Sequence, residues 1–336
     1  MRGPIQHALC EYVHESLDIM RVPAEPHERS LSSFPPTMSS SHRLHAESPS
    51  PRNSFKARLT IQGPVMSGTQ LTVVIRSTEG ESVDKSVESI QAAAARDELP
   101  EILVVSRGVP TMSDENQALV HLLISGARRI EAKAIGVRGA SSDRILFLDS
   151  DQYVSPSLLG ELRHKSEDMV LIPERSVGAS FMGSILDSRR VYIESKMRAT
   201  PSPRIPVIPR FFRKAVVQRA LDSMPPEVIK EVTETEDSLI FYECLKLSSS
   251  LGWCECPIFN DDPGVLAFTR KSYSYGYRNE NAIAAGRLPP DYVRLIRDIQ
   301  RGNIVNSGLP SVGAFTGNLI RGVPYLAGTL VRRLGF

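Results

Sequence analysis

Three short apolar runs constrain the fold of this chain more than any other feature: "QLTVVIRSTEG" (Gln70 to Gly80), "EILVVSRG" (Glu101 to Gly108) and "DRILFLDSD" (Asp143 to Asp151). Each is of strand length, rich in β-branched or bulky apolar residues, and stops abruptly at polar ones. Between the first two lies "DKSVESIQAAAARDE" (Asp84 to Glu98), with Val87, Ile90 and Ala94 at helical spacing. Strand, helix, strand is the pattern of a right-handed parallel crossover. The pattern continues with "NQALVHLLISGARRIEAKAIGVRGA", read as one or two helical pieces, and with "DMVLIPE" (Asp168 to Glu174), read as a further strand. Near-continuous apolar strands alternating with helices predict an α/β fold with a mostly parallel sheet flanked by helices. Such sheets hold their ligands beyond the carboxyl ends of the strands.

After Glu174 the alternation becomes irregular. A basic amphipathic helix is expected around Ser184 to Arg198, and the prolines of "TPSPRIPVIPRFFRKAVV" favour extended or edge structure over a central strand. "TETEDSLIFYECLKLSSSLGW" reads as a helix capped by Thr233 or Thr235, with Glu234, Glu236 and Asp237 at its start.

With 40 basic and 38 acidic residues among 336, the chain offers no global electrostatic argument for a nucleic-acid partner. Four scattered cysteines fit neither a disulfide framework nor a zinc site, which points to a reducing, cytoplasmic setting. Cys254 and Cys256 read as packing residues alternating along a strand beside Trp253. Residues 1–65 hold eight prolines, ten serines and five of the seven histidines without an apolar period, and are expected to be disordered. They carry no secretory signal pattern, and Met66, just before the first strand, is a candidate start site. Residues 66–290 would form the folded domain, and 291–336 a basic, apolar tail. From Arg294 onward that tail has six arginines against one acid, Asp298, and its apolar stretches are broken by Gly, Pro, Asn and Arg321. It makes a poor membrane-spanning helix. Two readings of it stand level: peripheral contact with an anionic membrane, at the inner face, or a helix packed on the domain.

The apolar strand Ile145 to Leu148 ends in two carboxylates, Asp149 and Asp151. A turn at a strand end explains one acid; two acids on the ligand edge suit a hard divalent cation, Mg2+ or Mn2+, bridging phosphate oxygens. On these residues, and on the order "LTVVIRSTEG", "EILVVSRG", "EAKAIGVRGASSDRILFLDSD", "TETEDSLIFYECLK", the chain from Leu71 to Gly276 resembles the family 2 glycosyltransferases, which have the GT-A (Rossmann-like) fold. The resemblance implies an inverting, metal-assisted transfer of a sugar from a nucleotide-sugar donor to an acceptor hydroxyl or a lipid phosphate, on a glycan or lipid-linked acceptor. It implies that Asp149 contacts the ribose side and shares the metal with Asp151. Asp237 would deprotonate the acceptor, with Glu236 beside it, across a sugar-sized gap from the first acid pair. Thr78 and Glu79 after the first strand, Ser106 at the end of the second, and Lys133 would face the nucleotide.

The chain departs from the family pattern at several points. Arg76-Ser77-Thr78 replaces a proline-threonine pair, Ser106 stands for a base-reading aspartate, and Ala134 for an amide. Where a histidine often assists the metal there are Asn260, Asp261 and Asp262, and no histidine follows His164. Asp261 or Asp262 could serve as an oxygen ligand, although a turn is the more natural role of Asp-Asp-Pro-Gly. Two other functions compete. A sugar-phosphate nucleotidyltransferase would need a glycine-rich basic loop, whereas "RSTEGES" has one glycine. A non-catalytic glycosyltransferase-like domain is suggested by Ser106 and the missing histidine, and opposed by Asp149, Asp151 and Asp237.

Overall fold

The computed structural model describes residues 71–94, 99–177, 180–205, 208–304 and 311–334. The expectations for residues 1–65 and for Met66 lie outside the described residues. The first half runs β1 (Thr72–Ser77), α1 (Asp84–Ala93), β2 (Glu101–Ser106), α2 (Asp114–Gln117), β3 (Val120–Ile124), α3 (Arg129–Gly139) and β4 (Arg144–Asp149). Then come β5 (Gln152–Val154), α4 (Leu158–Arg163), β6 (Met169–Leu171), β7 (Glu174–Ser176), α5 (Phe181–Ala199), β8 (Pro209–Arg213), α6 (Lys214–Ser223) and α7 (Pro226–Glu231). The chain continues through α8 (Glu236–Leu247), β9 (Leu251–Trp253), β10 (Ile258–Asn260), α9 (Val265–Ala284), α10 (Pro290–Ile304) and α11 (Val312–Leu334).

Seven strands form one sheet in the order β3-β2-β1-β4-β8-β6-β9, parallel throughout except for β8, which runs against both its neighbours. A small second sheet, β5-β10-β7, sits beside it in the chain's irregular half. Strand periodicity explains the two-sided core. Val74, Ile145 and Phe147 face a cluster roofed by α3, α6, α8 and α10, through Ile130, Val217, Phe241 and Ile296 among others. Val73, Ile75, Leu146 and Leu148 face the other cluster, closed by α1 and α4 through Val87, Ile90, Leu158 and Leu162. The helical cover lies close: a Cβ on Gly136 would sit 2.3 Å from Val74 Cγ1, so α3 reaches β1 only because that position lacks a side chain.

The mostly parallel α/β sheet flanked by helices is the one the sequence predicts. Three details differ. Residues 120–124, expected within helical pieces, form strand β3, because a five-residue apolar run carries no period that separates strand from buried helix. The proline-rich segment supplies β8, an interior strand and not an edge. Pro209 opens that strand opposite Leu171, where the register shifts, so its missing N–H falls at an irregularity; Arg210 is the residue skipped there, and Phe211 to Arg213 pair normally. Cys254 follows β9 and does not lie on it, and is fully buried. The tail also divides. Helix α10 belongs to the core through Tyr292, Leu295, Ile296 and Ile299, and α11 packs against α9 and α5.

Candidate active site

The carboxyl ends of β1, β2 and β4 lie at one edge of the sheet, as parallel strands require. Because β8 runs the other way, its beginning reaches that same edge, and Arg210 arrives beside the end of β4. A cavity of about 1030 Å³ opens there. Arg76 and Thr78 line it from the end of β1, Arg107 from β2, Asp149 and Asp151 from β4, and Arg210 from β8. Arg129 at the start of α3, Lys271 and Tyr275 of α9, and Arg321 of α11 close the remaining walls.

The two strand-end acids differ sharply. Arg76 donates to Asp149 Oδ1 through Nε and pairs with it through Nη2, both at 2.9 Å, while Arg210 Nη1 lies 3.6 Å from Oδ2. Burial alone would raise the Asp149 carboxyl, but Arg76 and Arg210, with Lys133 and Arg129 behind them, hold it well below the usual carboxylate range. Asp151 is 45% exposed, and its nearest cation is Lys271 Nζ at 3.8 Å. Burial and the Asp149 charge raise its carboxyl. Asp149 is therefore ion-paired on both oxygens, and Asp151 is the more accessible carboxylate.

A divalent cation fits this donor set in one way. Among the described residues no group of three His, Cys, Asp or Glu side chains could hold a metal ion. Mg2+ commonly binds through one or two carboxylates and takes its remaining oxygens from substrate phosphates and water. Asp151 is suited to that single role. Asp261 and Asp262 also line the cavity, but Asp261 pairs with Lys85 at 2.5 Å and accepts from the Tyr153 hydroxyl at 3.2 Å. Asp262 takes both arms of Arg190, at 2.6 and 2.8 Å.

The second acid cluster begins α8. Thr235 stands at its N-cap but makes no side-chain cap bond, contrary to expectation; Glu236 and Asp237 occupy the first turn. Glu236 is buried and accepts from Arg129 Nη1 at 3.1 Å. Burial raises its carboxyl, and Arg129 with Lys133 more than reverses that. Asp237 is ion-paired through Oδ1 with Lys133, and its Oδ2 lies 3.6 Å from Arg210 Nη1. Lys133 is only 1% exposed, with its ammonium 5.4 Å from the Phe147 ring centroid. Burial outweighs the surrounding carboxylates and pushes it down to about 8. Lys133 thus pairs with Asp237, and neither these two nor Glu236 lines the cavity.

The other expected nucleotide contacts divide in the same way. Thr78 lines the cavity, and its backbone N–H donates to Glu81 Oε2 at 2.9 Å. Glu79 packs against Gly108, and Ser106 is 1% exposed with its hydroxyl accepting from the Gly108 N–H at 3.5 Å; neither lines the cavity. Arg107 lines it in their place.

The sequence reading passed over the arginines. Arg210 is 6% exposed, and its Nε and Nη2 donate to Glu174 Oε1 at 3.0 and 2.9 Å, yet its buried Nη1 makes no hydrogen bond. Arg321 has a buried Nε with no hydrogen-bond partner and no ion pair among the described residues; burial pushes its pKa down. A charged donor buried without an acceptor is costly unless a ligand supplies one. Each stands beside apolar residues in the sequence, Arg210 before Phe211-Phe212 and Arg321 after Ile320, but Arg213 and Lys214 flank the same phenylalanines and nothing local sets either arginine apart.

No protein-family model matches the sequence, and no curated protein matches it significantly. Among solved structures, S. aureus TarS residues 1–349 match over 80% of this chain and 92% of that one, at 14% identity and a TM-score of 0.43. The same TarS fragment in complex with UDP-GlcNAc matches at 13% identity, with equal coverage and a TM-score of 0.43. TarS itself matches at 14% identity and a TM-score of 0.41, over 78% of this chain and 55% of that one. Similarity this low carries no chemistry from one protein to the other.

Proposed function

We propose that this chain is a glycosyltransferase that binds a nucleotide-sugar donor in the arginine-lined cavity and transfers the sugar, with inversion, to an acceptor hydroxyl or lipid phosphate. The observation that carries this reading is Arg210. It is a buried guanidinium on the ligand edge of the sheet, with an unbonded Nη1 flanked by Asp149 and Asp237. A diphosphate oxygen is the acceptor that such a donor lacks. Arg76, Arg129 and Lys271 surround the same space, so negative charge released on the leaving nucleoside diphosphate would meet positive charge already in place.

In the proposed reaction the acceptor oxygen attacks the anomeric carbon. The bond from that carbon to the phosphate oxygen breaks, and its electron pair stays on the diphosphate. Asp237 is proposed to take the acceptor's proton, with Glu236 fixing Arg129 beside it. Lys133 and Arg210 would hold the Asp237 carboxylate in position for that transfer. The sugar would lie on the open side of Arg210, because that guanidinium fills the space between the two acid clusters. Asp149 positions Arg76 and Arg210. When bound, Mg2+ or Mn2+ at Asp151 would add charge neutralisation of the diphosphate.

The test is a screen of nucleotide sugars for hydrolysis and transfer, with and without each metal, on the wild type and on Asp237→Asn and Asp151→Ala. Loss of turnover in Asp237→Asn with donor binding retained supports the assignment of the base. Unchanged turnover in both variants sinks the site assignment.

A further inference from the structure

Helix α11 turns an apolar face outward. Between Val312 and Leu330 its exposed residues are Val312, Phe315, Leu319, Val323, Leu326 and Leu330, and no polar residue is exposed among them. Steps of three and four place all six in one stripe along the helix. A helix on a water-facing surface shows the reverse pattern, with polar residues outward.

The stripe cannot be hidden by rolling the helix, because the inner face is seated by backbone contact. A Cβ on Gly328 would lie 2.1 Å from the Tyr273 carbonyl oxygen, and one on Gly317 3.1 Å from Arg189 Cβ. Arg332 Nε donates to Asn281 Oδ1 at 2.8 Å, and Arg333 Nε to Glu280 Oε1 at 2.8 Å. The helix is fixed in rotation, with its apolar stripe out.

Charge selects the occupant. Helix α11 contains no acidic residue, and residues 265–334 hold ten Lys and Arg against three Asp and Glu. Two of those acids are already paired, Glu280 with Arg333 and Asp298 with Arg204. A second copy would bring a face of the same sign against this one, with no acid on α11 to answer Arg332 or the exposed Arg294 and Arg297 of α10. An anionic lipid surface answers both features, with acyl chains for the stripe and headgroups for the basic rim.

We propose that α11 docks on an anionic lipid surface, with the stripe from Val312 to Leu330 in the boundary between headgroups and acyl chains. The same helix carries Arg321 into the cavity wall, so docking would bring the cavity next to that surface, where a lipid-linked acceptor would be presented. That last step rests on the transferase reading; the docking does not, and its test uses no donor.

The experiment is co-sedimentation of the full chain with vesicles of phosphatidylcholine alone or mixed with phosphatidylglycerol, at low and high salt. It compares the wild type with the double variant Leu319→Ser/Leu326→Ser, and with Leu247→Ser, an exposed leucine on α8, as control. The expected result is binding at least about tenfold stronger to the anionic vesicles and weakened by salt. The double variant should lose about tenfold or more, while Leu247→Ser binds as the wild type does. The salt and composition dependence is read on the unmodified chain, so it stands even where a variant misfolds. No binding to either vesicle, or undiminished binding by a folded double variant, overturns the proposal. So does a wild-type dimer in sedimentation velocity that the double variant converts to monomer, which would assign the stripe to a second copy.

Discussion

Arg210 Nη1 lies 3.6 Å from a carboxylate oxygen of Asp149 and 3.6 Å from one of Asp237. One guanidinium thus stands where the family resemblance implies a sugar-sized gap, and it ties the two acid clusters together. Arg210→Lys keeps the charge but loses the planar fork that serves Glu174 and both aspartates. Turnover is expected to fall by about 10²-fold or more, as for removal of one preorganised donor. Arg210→Met would also leave Asp149 and Glu174 short of a partner and destabilise the chain by about 3 to 5 kcal/mol, read by urea unfolding. Wild-type turnover in Arg210→Lys would place the diphosphate elsewhere.

The acids of the strand end should separate in their effects. Asp151 is 45% exposed, so Asp151→Asn should change stability by no more than about 0.5 kcal/mol while reducing turnover and its response to Mg2+ or Mn2+. Asp149 is 20% exposed and carries two guanidinium groups, so Asp149→Asn should cost about 3 kcal/mol or more. Equal unfolding free energies for the two variants would contradict this division.

Lys133 gives a pH signature. Burial pushes its ammonium down to about 8 from an ordinary 10.5. Below about pH 8 both folded and unfolded chains hold the proton, and the cost of burying the charge is present in full. Between about 8 and 10.5 the unfolded chain holds a proton that the folded chain has released, so this residue's contribution to stability rises with pH. Relative to Lys133→Met, the wild type should gain up to about 1.4 kcal/mol per pH unit across that window. A difference that stays flat from pH 8 upward would show that Lys133 titrates normally.

Gly136 tests the packing that sets α3 on the sheet and so positions Arg129 and Lys133. A Cβ there would meet Val74 Cγ1 at 2.3 Å, so Gly136→Ala should destabilise by about 1 to 3 kcal/mol despite the better helix propensity of alanine. Pairing it with Val74→Ala should recover part of that loss, measured as a double-mutant cycle. A Gly136→Ala variant as stable as the wild type would mean that α3 stands farther from β1.

The sheet was legible because β1, β2 and β4 are apolar, of strand length and stopped by polar residues, and a parallel sheet then fixes which edge Asp149 and Asp151 occupy. Strand β3 was not, since the run from Val120 to Ile124 is too short to show a period. Strand β8 was hidden by its prolines, and with it Arg210, whose place depends on a strand running against its neighbours. Ser106 and Lys133 were found as positions, but burial, which sequence does not display, put one behind the cavity wall and the other in an ion pair with Asp237. Arg321 required the tail to fold back as a helix into the wall, a long-range contact that no local pattern encodes.

The central claim is that the arginine-lined cavity receives a nucleoside diphosphate, and calorimetric titration of the full chain with a panel of nucleoside diphosphates and their sugars tests it most directly. The account predicts saturable binding of at least one of them, weakened about tenfold or more in Arg210→Lys, as expected when the charge-assisted Nη1 contact to phosphate is lost. Failure of every nucleoside diphosphate and nucleotide sugar to bind the wild type, or equal binding by Arg210→Lys, would contradict it.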